Sequence, residues 1–185
     1  MQSHVCPWWL GYFLINPLRR LYQDPRRILE PYVKNGMVVL DVGCAMGFFT
    51  LPMAKLVGDS GRVVAVDLQE KMIKSLRRRA AKAGIMHRIE TRLCTGSSLG
   101  IDDLSGQADF ALAFAVMHEI PNIKQALAEI AAALKSGGIL LIAEPKGHVS
   151  ENEFASTILS ARECGMIETA RQSIRGSRSI VMTRK

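Results

Sequence analysis

Three acids stand at the ends of apolar runs: Asp41 in VVLDVG, Asp67 in VVAVDL and Glu144 in LLIAEP. Two glycines, Gly43 and Gly47, bracket Cys44, Ala45 and Met46, and a histidine, His118, follows another apolar run in FAVMHEIP. A carboxylate at the end of a strand can accept both hydroxyls of a sugar through charge-assisted hydrogen bonds. Glycine lets the backbone turn tightly and come close to a ligand. Free N–H groups at the start of the next helix suit a carboxylate or phosphate. An imidazole that titrates near neutrality can take a proton. His4 and Cys6 are two ligands and make no metal site. The four cysteines, Cys6, Cys44, Cys94 and Cys164, lack paired C-x-x-C spacing. Reduced thiols in a cytosolic protein are therefore expected, with Cys44 a small buried filler.

These residues need a frame. β-branched, nearly continuous apolar strands are predicted at 37–42, 62–68, 88–94, 108–114 and 138–144, alternating with helices at about 48–57, 70–83, 122–135 and 151–164. Strands greasy on both faces need helices on both sides, which makes the class α/β with a doubly wound, mostly parallel sheet. Residues 166–185, turning at RGSR, read as a closing hairpin, so one strand runs against the rest. Asn16-Pro17 and Asp24-Pro25 each place a capping side chain before a proline, the signature of two short helices at the start of the chain.

In an open parallel sheet, ligands sit beyond the carboxyl ends of the strands at the switch point, where the Gly43–Gly47 turn is expected. The spacing there does not fit G-x-G-x-x-G/A: Phe48 occupies the place where the last small residue would close helix against strand. No G-K-[ST] follows, which excludes a P-loop. Asp67 comes 20 residues after Gly47, at the end of the second strand. That separation suits a ribose-binding acid, with Val66 and Leu68 bounding the sugar or base.

The chain has 185 residues, a length that suits one domain with a core of its own. Its 48% hydrophobic and 22% charged residues describe a soluble profile. The apolar run Trp8–Ile15 is too short to span a bilayer, and the start lacks the basic segment of a signal peptide. Net charge is +7: five basic and two acidic residues in 1–36, five and one in 165–185, and balance between. Excess at both ends can attract an anionic partner or simply be solvated.

VLDVGCAMGFFT, VVAVDL, ADFALAFAVMHEIPN and LKSGGILLIAEP, in that order and spacing, resemble the motifs of class I S-adenosylmethionine-dependent methyltransferases. The likeness is to the small-molecule, ubiquinone-biosynthesis-like branch, and covers residues 36–185. It implies a Rossmann-like seven-stranded sheet with the last strand antiparallel. Residues 1–35 stand outside it as a helical segment, a candidate lid whose Trp8, Trp9, Tyr12 and Phe13 would wall an acceptor pocket. The resemblance implies S-adenosylmethionine as cofactor. Asp41, Gly43, Cys44, Ala45 and Gly47 would flank the methionine moiety, Asp67 the ribose and Leu68 the adenine. Phe114 and Ala115 would offer backbone near the amino group and sulfonium.

Two positions depart from the family pattern. Ala45 replaces a usual glycine, and its methyl either presses on the cofactor or is absorbed at negative φ. The loop CTGSSLG offers Thr95 where an acid often meets the adenine amine. Methyl transfer from a sulfonium mainly requires positioning, with a base only for a proton-bearing acceptor. His118, Glu119, Glu144 and the N-terminal tyrosines are candidates, with His118 and Glu144 foremost and Glu144 expected on the acceptor rim. The expected partner is a small-molecule acceptor, anionic or apolar. An RNA methyltransferase, suggested by Arg77-Arg78-Arg79 and a pI of 9.5, and a non-catalytic cofactor-binding module stay open. The base-amine signature [DNS]-P-P-[YF] is absent, and the arginine triplet is expected to face solvent.

Overall fold

The computed structural model describes Arg19 and residues 22–185. The first expected helix, from Pro17, and the aromatic segment proposed as a lid lie outside the described residues, apart from Arg19, Tyr22 and residues beyond. The second forms as α1, Pro25–Leu29, where the Asp24 side chain caps the Arg26 N–H at 3.0 Å and Pro25 opens the first turn. Seven strands follow: β1 (Val38–Val42), β2 (Arg62–Asp67), β3 (Ile89–Leu93), β4 (Ala108–Phe114), β5 (Leu134–Pro145), β6 (Met166–Ala170) and β7 (Ser177–Arg184). Four helices alternate with them: α2 (Thr50–Val57), α3 (Glu70–Lys82), α4 (Ile123–Ala133) and α5 (Glu151–Glu163).

The sheet order is β3-β2-β1-β4-β5-β7-β6, and β7 alone runs antiparallel, to both β5 and β6. Residues of α1, α2 and α3, including Leu29, Met53, Val57 and Leu76, form one buried cluster with Val39, Phe110 and Leu112 of the strands. Leu127 and Ile130 of α4, with Phe154 and Ile158 of α5, form the other, against Leu40, Val64 and Leu140. The inner strands β1, β2, β4 and β5 therefore bury alternate side chains in opposite layers, which is why those runs are apolar throughout. Truncating a fully buried residue such as Leu76 or Leu112 costs about 2–5 kcal/mol.

β5 starts at Leu134, four residues before the predicted 138, directly after α4. The register slips between Ala108 and Phe110 of β4, so Leu134 pairs with Ala108 and Ile139 with Phe110. The strand thus includes the Lys135–Gly138 stretch, whose polarity hid it in the sequence. Arg184 donates to the carbonyls of Ala132, at 3.0 Å, and Leu134, where α4 ends. Arg178 donates to the Val149 carbonyl at 2.9 Å. Part of the C-terminal basic excess is therefore spent on closing loops and a helix end. No helix among the described residues is long and apolar enough to cross a membrane.

Candidate active site

The strand order reverses between β1 and β4, and the crevice beyond their carboxyl ends is the switch point of the sheet. The Gly43–Gly47 turn lies there. The N–H groups of Gly43 and Cys44 both donate to the Val66 carbonyl, at 2.9 and 3.0 Å, tying the turn to the end of β2. Gly43 has φ 71° and Gly47 φ 85°, values that L side chains rarely adopt. The space a Cβ would fill is occupied by protein, not left for a ligand. A Cβ on Gly43 would stand 2.4 Å from Cγ2 of Val116, and one on Gly47 2.4 Å from Cδ1 of Leu76. Both glycines thus let the loop after β4 and helix α3 close against the turn.

Ala45 has φ 46°, so the negative-φ alternative does not hold and the residue sits in the left-handed region. Ala115, just after β4, has φ 55°; these two are the non-glycine residues at positive φ among those described. Both lie at the carboxyl ends of the two strands that form the switch point. Strained backbone of this kind collects at functional sites because the surrounding structure must hold it there.

Asp67 closes β2, and both its oxygens are held by backbone. Ala45 donates to Oδ2 and Gln69 to Oδ1, each at 2.8 Å. Burial pushes its carboxyl above the usual range, and the N–H donors of Gln69, Ala45 and Leu68 oppose this. Two leucines stay open beside it: Leu68 is 43% exposed, and Leu93, the register partner of Asp67 across β2 and β3, is 57% exposed. Oriented carboxylate oxygens beside exposed apolar side chains fit the two halves of an adenosine. Leu93 was missed in the sequence because it occupies a half-buried edge strand whose exposure pattern is irregular.

Asp41 lies beneath the turn, 3% exposed, and accepts the Thr50 hydroxyl at 2.5 Å. Desolvation raises its pKa to about 7; the Thr50 hydrogen bond opposes this and the charge of Asp67 adds to it. Cys44 is buried in the core. Thr95 is exposed, and its hydroxyl accepts the Ser98 N–H at 3.2 Å inside its own loop.

Glu144 lies below the rim where it was expected, at 1% exposure. One oxygen accepts the N–H groups of Val116, at 3.1 Å, and Met117, at 2.8 Å, and the other bonds to Nδ1 of His118. A carboxylate has only acceptors to offer, so Nδ1 carries the hydrogen and a neutral His118 has its lone pair on Nε2. The Glu144 hydrogen bond raises the His118 pKa, desolvation opposes it, and the charges of Glu144, Glu119 and Glu153 add to the rise. His118 keeps 26% of its side chain exposed. Glu119 approaches Nε2 only to 4.0 Å, and the His148 ring centroid lies 6.1 Å away.

Of the arginine triplet, Arg77 and Arg78 are exposed, but Arg79 does not face solvent as expected: it donates to the Met46 carbonyl of the glycine turn. Arg77 donates to the Thr91 hydroxyl at 2.6 Å. The helix that carries them thereby grips both the turn and β3.

A glycine-bearing turn at the switch point, an acid closing the adjacent strand and an antiparallel β7 define the class I methyltransferase fold. Residues 33–177 match the methyltransferase domain family, and the chain belongs to it. It is similar to the ubiquinone/menaquinone biosynthesis C-methyltransferase UbiE of Hydrogenovibrio crunogenus, 32% identical over 112 residues, which covers 60% of this chain and 43% of that protein. It is also similar to the demethylmenaquinone methyltransferase of Staphylococcus saprophyticus, 29% identical over 119 residues, 64% of this chain and 49% of that one. The chain spans less than half the length of these curated relatives. Among solved structures, a SAM-dependent methyltransferase from Aquifex aeolicus superposes with a TM-score of 0.87 at 22% identity, covering 98% of this chain and 100% of that one. The [4+2]-cyclase SpnF shares the fold at a TM-score of 0.71 and 15% identity, over 86% and 80% of the two chains.

Proposed function

We propose that the chain is an S-adenosylmethionine-dependent methyltransferase that acts on a small-molecule acceptor. The observation that carries this is the Asp67 carboxylate, oriented by the N–H groups of Ala45 and Gln69 at 2.8 Å beside the strained turn. The cofactor supplies a methyl group on a sulfonium, which is already a good leaving group. Asp67 would accept the ribose hydroxyls, Leu68 and Leu93 would border the base, and the Gly43–Gly47 backbone with Phe114 and Ala115 would line the methionyl end. The acceptor space lies beyond β4 and β5. His118 would take a proton there through Nε2 when the acceptor carries one, and Glu144, too buried to touch the acceptor, would fix the ring and its tautomer. Residues 1–35 as a lid belong to the same proposal. Support comes from Arg19, whose guanidinium carbon lies 4.3 Å from the Phe48 ring centroid, beside the turn.

The quinone-directed relatives favour an aromatic, hydroxylated acceptor. The internal use of Arg79 weakens the RNA-directed reading, which drew on that residue. Because a cyclase shares the fold, the decisive experiment is chemical. The chain is incubated with methyl-labelled S-adenosylmethionine and a panel of hydroquinones, phenols and carboxylic acids. Label moving to an acceptor, with stoichiometric S-adenosylhomocysteine, supports methyl transfer. Tight cofactor binding with no label moved across the panel favours a non-catalytic module.

A further inference from the structure

Two exposed leucines adjoin Asp67: Leu68 follows it in the chain, and Leu93 pairs with it across β2 and β3. The loop after Leu93 is closed on itself and on β2. The Cys94 N–H donates to the Asp67 carbonyl and the Thr95 N–H to the Ser98 carbonyl, each at 3.0 Å. The Thr95 hydroxyl accepts the N–H groups of Ser98, at 3.2 Å, and Ser97, at 3.4 Å. Its own hydrogen has the Ser97 hydroxyl at 3.2 Å and the Ser98 carbonyl at 3.4 Å. The acids of the surrounding elements are engaged as well. Glu129 of α4 is buried and accepts the Leu99 N–H at 2.7 Å, the Ser98 hydroxyl at 3.2 Å and the Gln125 amide at 3.1 Å. Glu90 and Asp103 both bond to Arg92, at 2.6 and 2.8 Å. Residues 1–21 contain no aspartate or glutamate.

We propose that Leu68 and Leu93 recognise the purine of the cofactor by apolar contact, with its 6-amino group meeting no carboxylate, so that the site also takes homocysteine thioethers of purine nucleosides that lack the amine; this rests on the methyltransferase reading above. The position where the family pattern has an acid holds a hydroxyl that its own loop consumes. An apolar wall rewards buried area and rejects a purine of the same outline only weakly. A carboxylate on the amine would instead disfavour a purine lacking it by roughly 10- to 100-fold. Specificity for the nucleoside thus falls to Asp67 at the ribose and to the leucines at the base.

Calorimetry on the full chain tests this with two probes, S-adenosylhomocysteine and the same thioether with purine in place of adenine. The wild type should bind the two within about threefold of each other, as an apolar wall allows. Leu93→Ala should weaken both by a similar factor, roughly three- to tenfold, because the lost contact is with the ring and not the amine. Thr95→Asp keeps an acceptor for the loop N–H groups and adds a carboxylate where the hydroxyl stands. That variant should gain a preference for S-adenosylhomocysteine over the purine thioether of about tenfold. The proposal is overturned if the wild type already favours the amine by tenfold or more, if Leu93→Ala leaves both affinities unchanged, or if Thr95→Asp gains no preference. A wild type that binds neither thioether overturns the methyltransferase reading instead.

Discussion

The N–H of Ala45 donates to Oδ2 of Asp67 at 2.8 Å, and it can do so because Ala45 takes a φ of 46°. The turn after β1 and the acid ending β2 are thus one unit, in which a strained alanine aims a carboxylate. A non-glycine residue in the left-handed region costs about 1–2 kcal/mol. Ala45→Gly is therefore expected to raise unfolding stability by about 1 kcal/mol, less the extra freedom that glycine brings to the unfolded chain. Chemical denaturation reads this directly. If the methyl also crowds the cofactor, S-adenosylhomocysteine binds the glycine variant more tightly in calorimetry; equal affinity removes crowding and leaves strain alone.

Gly43 is expected to resist substitution because of Val116 and not because of a ligand. Gly43→Ala places a Cβ 2.4 Å from Cγ2 of Val116 at a φ that alanine disfavours, a loss of about 2–4 kcal/mol. Adding Val116→Ala removes Cγ2 but leaves the Val116 Cβ at 2.7 Å from the new methyl, so it should recover part of the loss, on the order of 0.5–1 kcal/mol in a double-mutant cycle. Strict additivity would mean the two residues do not share that space.

Asp41 gives a pH signature. Its folded pKa is raised to about 7, while an unfolded aspartate titrates near ~3.9. The native state therefore holds a proton more tightly, and the associated stability is full below the unfolded value and lost as pH rises through about 7. Asp41→Asn keeps an acceptor for Thr50 and removes the titration. The variant should gain on the wild type in urea melts as pH is raised from acid to above neutral. A difference that is constant with pH would contradict the burial of an ionising Asp41.

Glu144 controls His118. Its hydrogen bond is the largest cause of the raised His118 pKa, so Glu144→Gln should lower that pKa in an NMR titration of the ring. The sign for stability follows: the His118 contribution is full below the unfolded histidine value and lost as pH climbs through the raised folded one. The variant should thus lose more stability in mildly acidic solution than in alkaline solution. An unchanged ring titration would dissociate the pair.

Much of the frame was legible because its signals are local. Apolar runs ending at Asp67 and Phe114 mark strands through their burial on both faces, and Asp24 before Pro25 marks the start of α1, where its side chain caps the Arg26 N–H. What sequence could not provide were contacts between distant segments. Glu144 looks like a rim acid until β5 is seen to place it against the N–H groups of Val116 and Met117, 27 residues or more away along the chain. Arg79 looks like a solvent charge until α3 lies beside the Met46 carbonyl. The positive φ of Ala45 was likewise hidden, because alanine carries no local preference for it. Spacing marked the turn, but only the pairing of β1 with β2 sets its hand.

The central claim is that Asp67 holds an adenosyl group against the strained turn. Calorimetric titration of S-adenosylhomocysteine into the wild type and Asp67→Ala tests it most directly. The account predicts saturable one-site binding to the wild type and an affinity lower by about 100-fold in the variant, the loss of two hydrogen bonds to a charged acceptor. Equal affinity in the two proteins, or binding of a nicotinamide dinucleotide in place of the thioether, would contradict it.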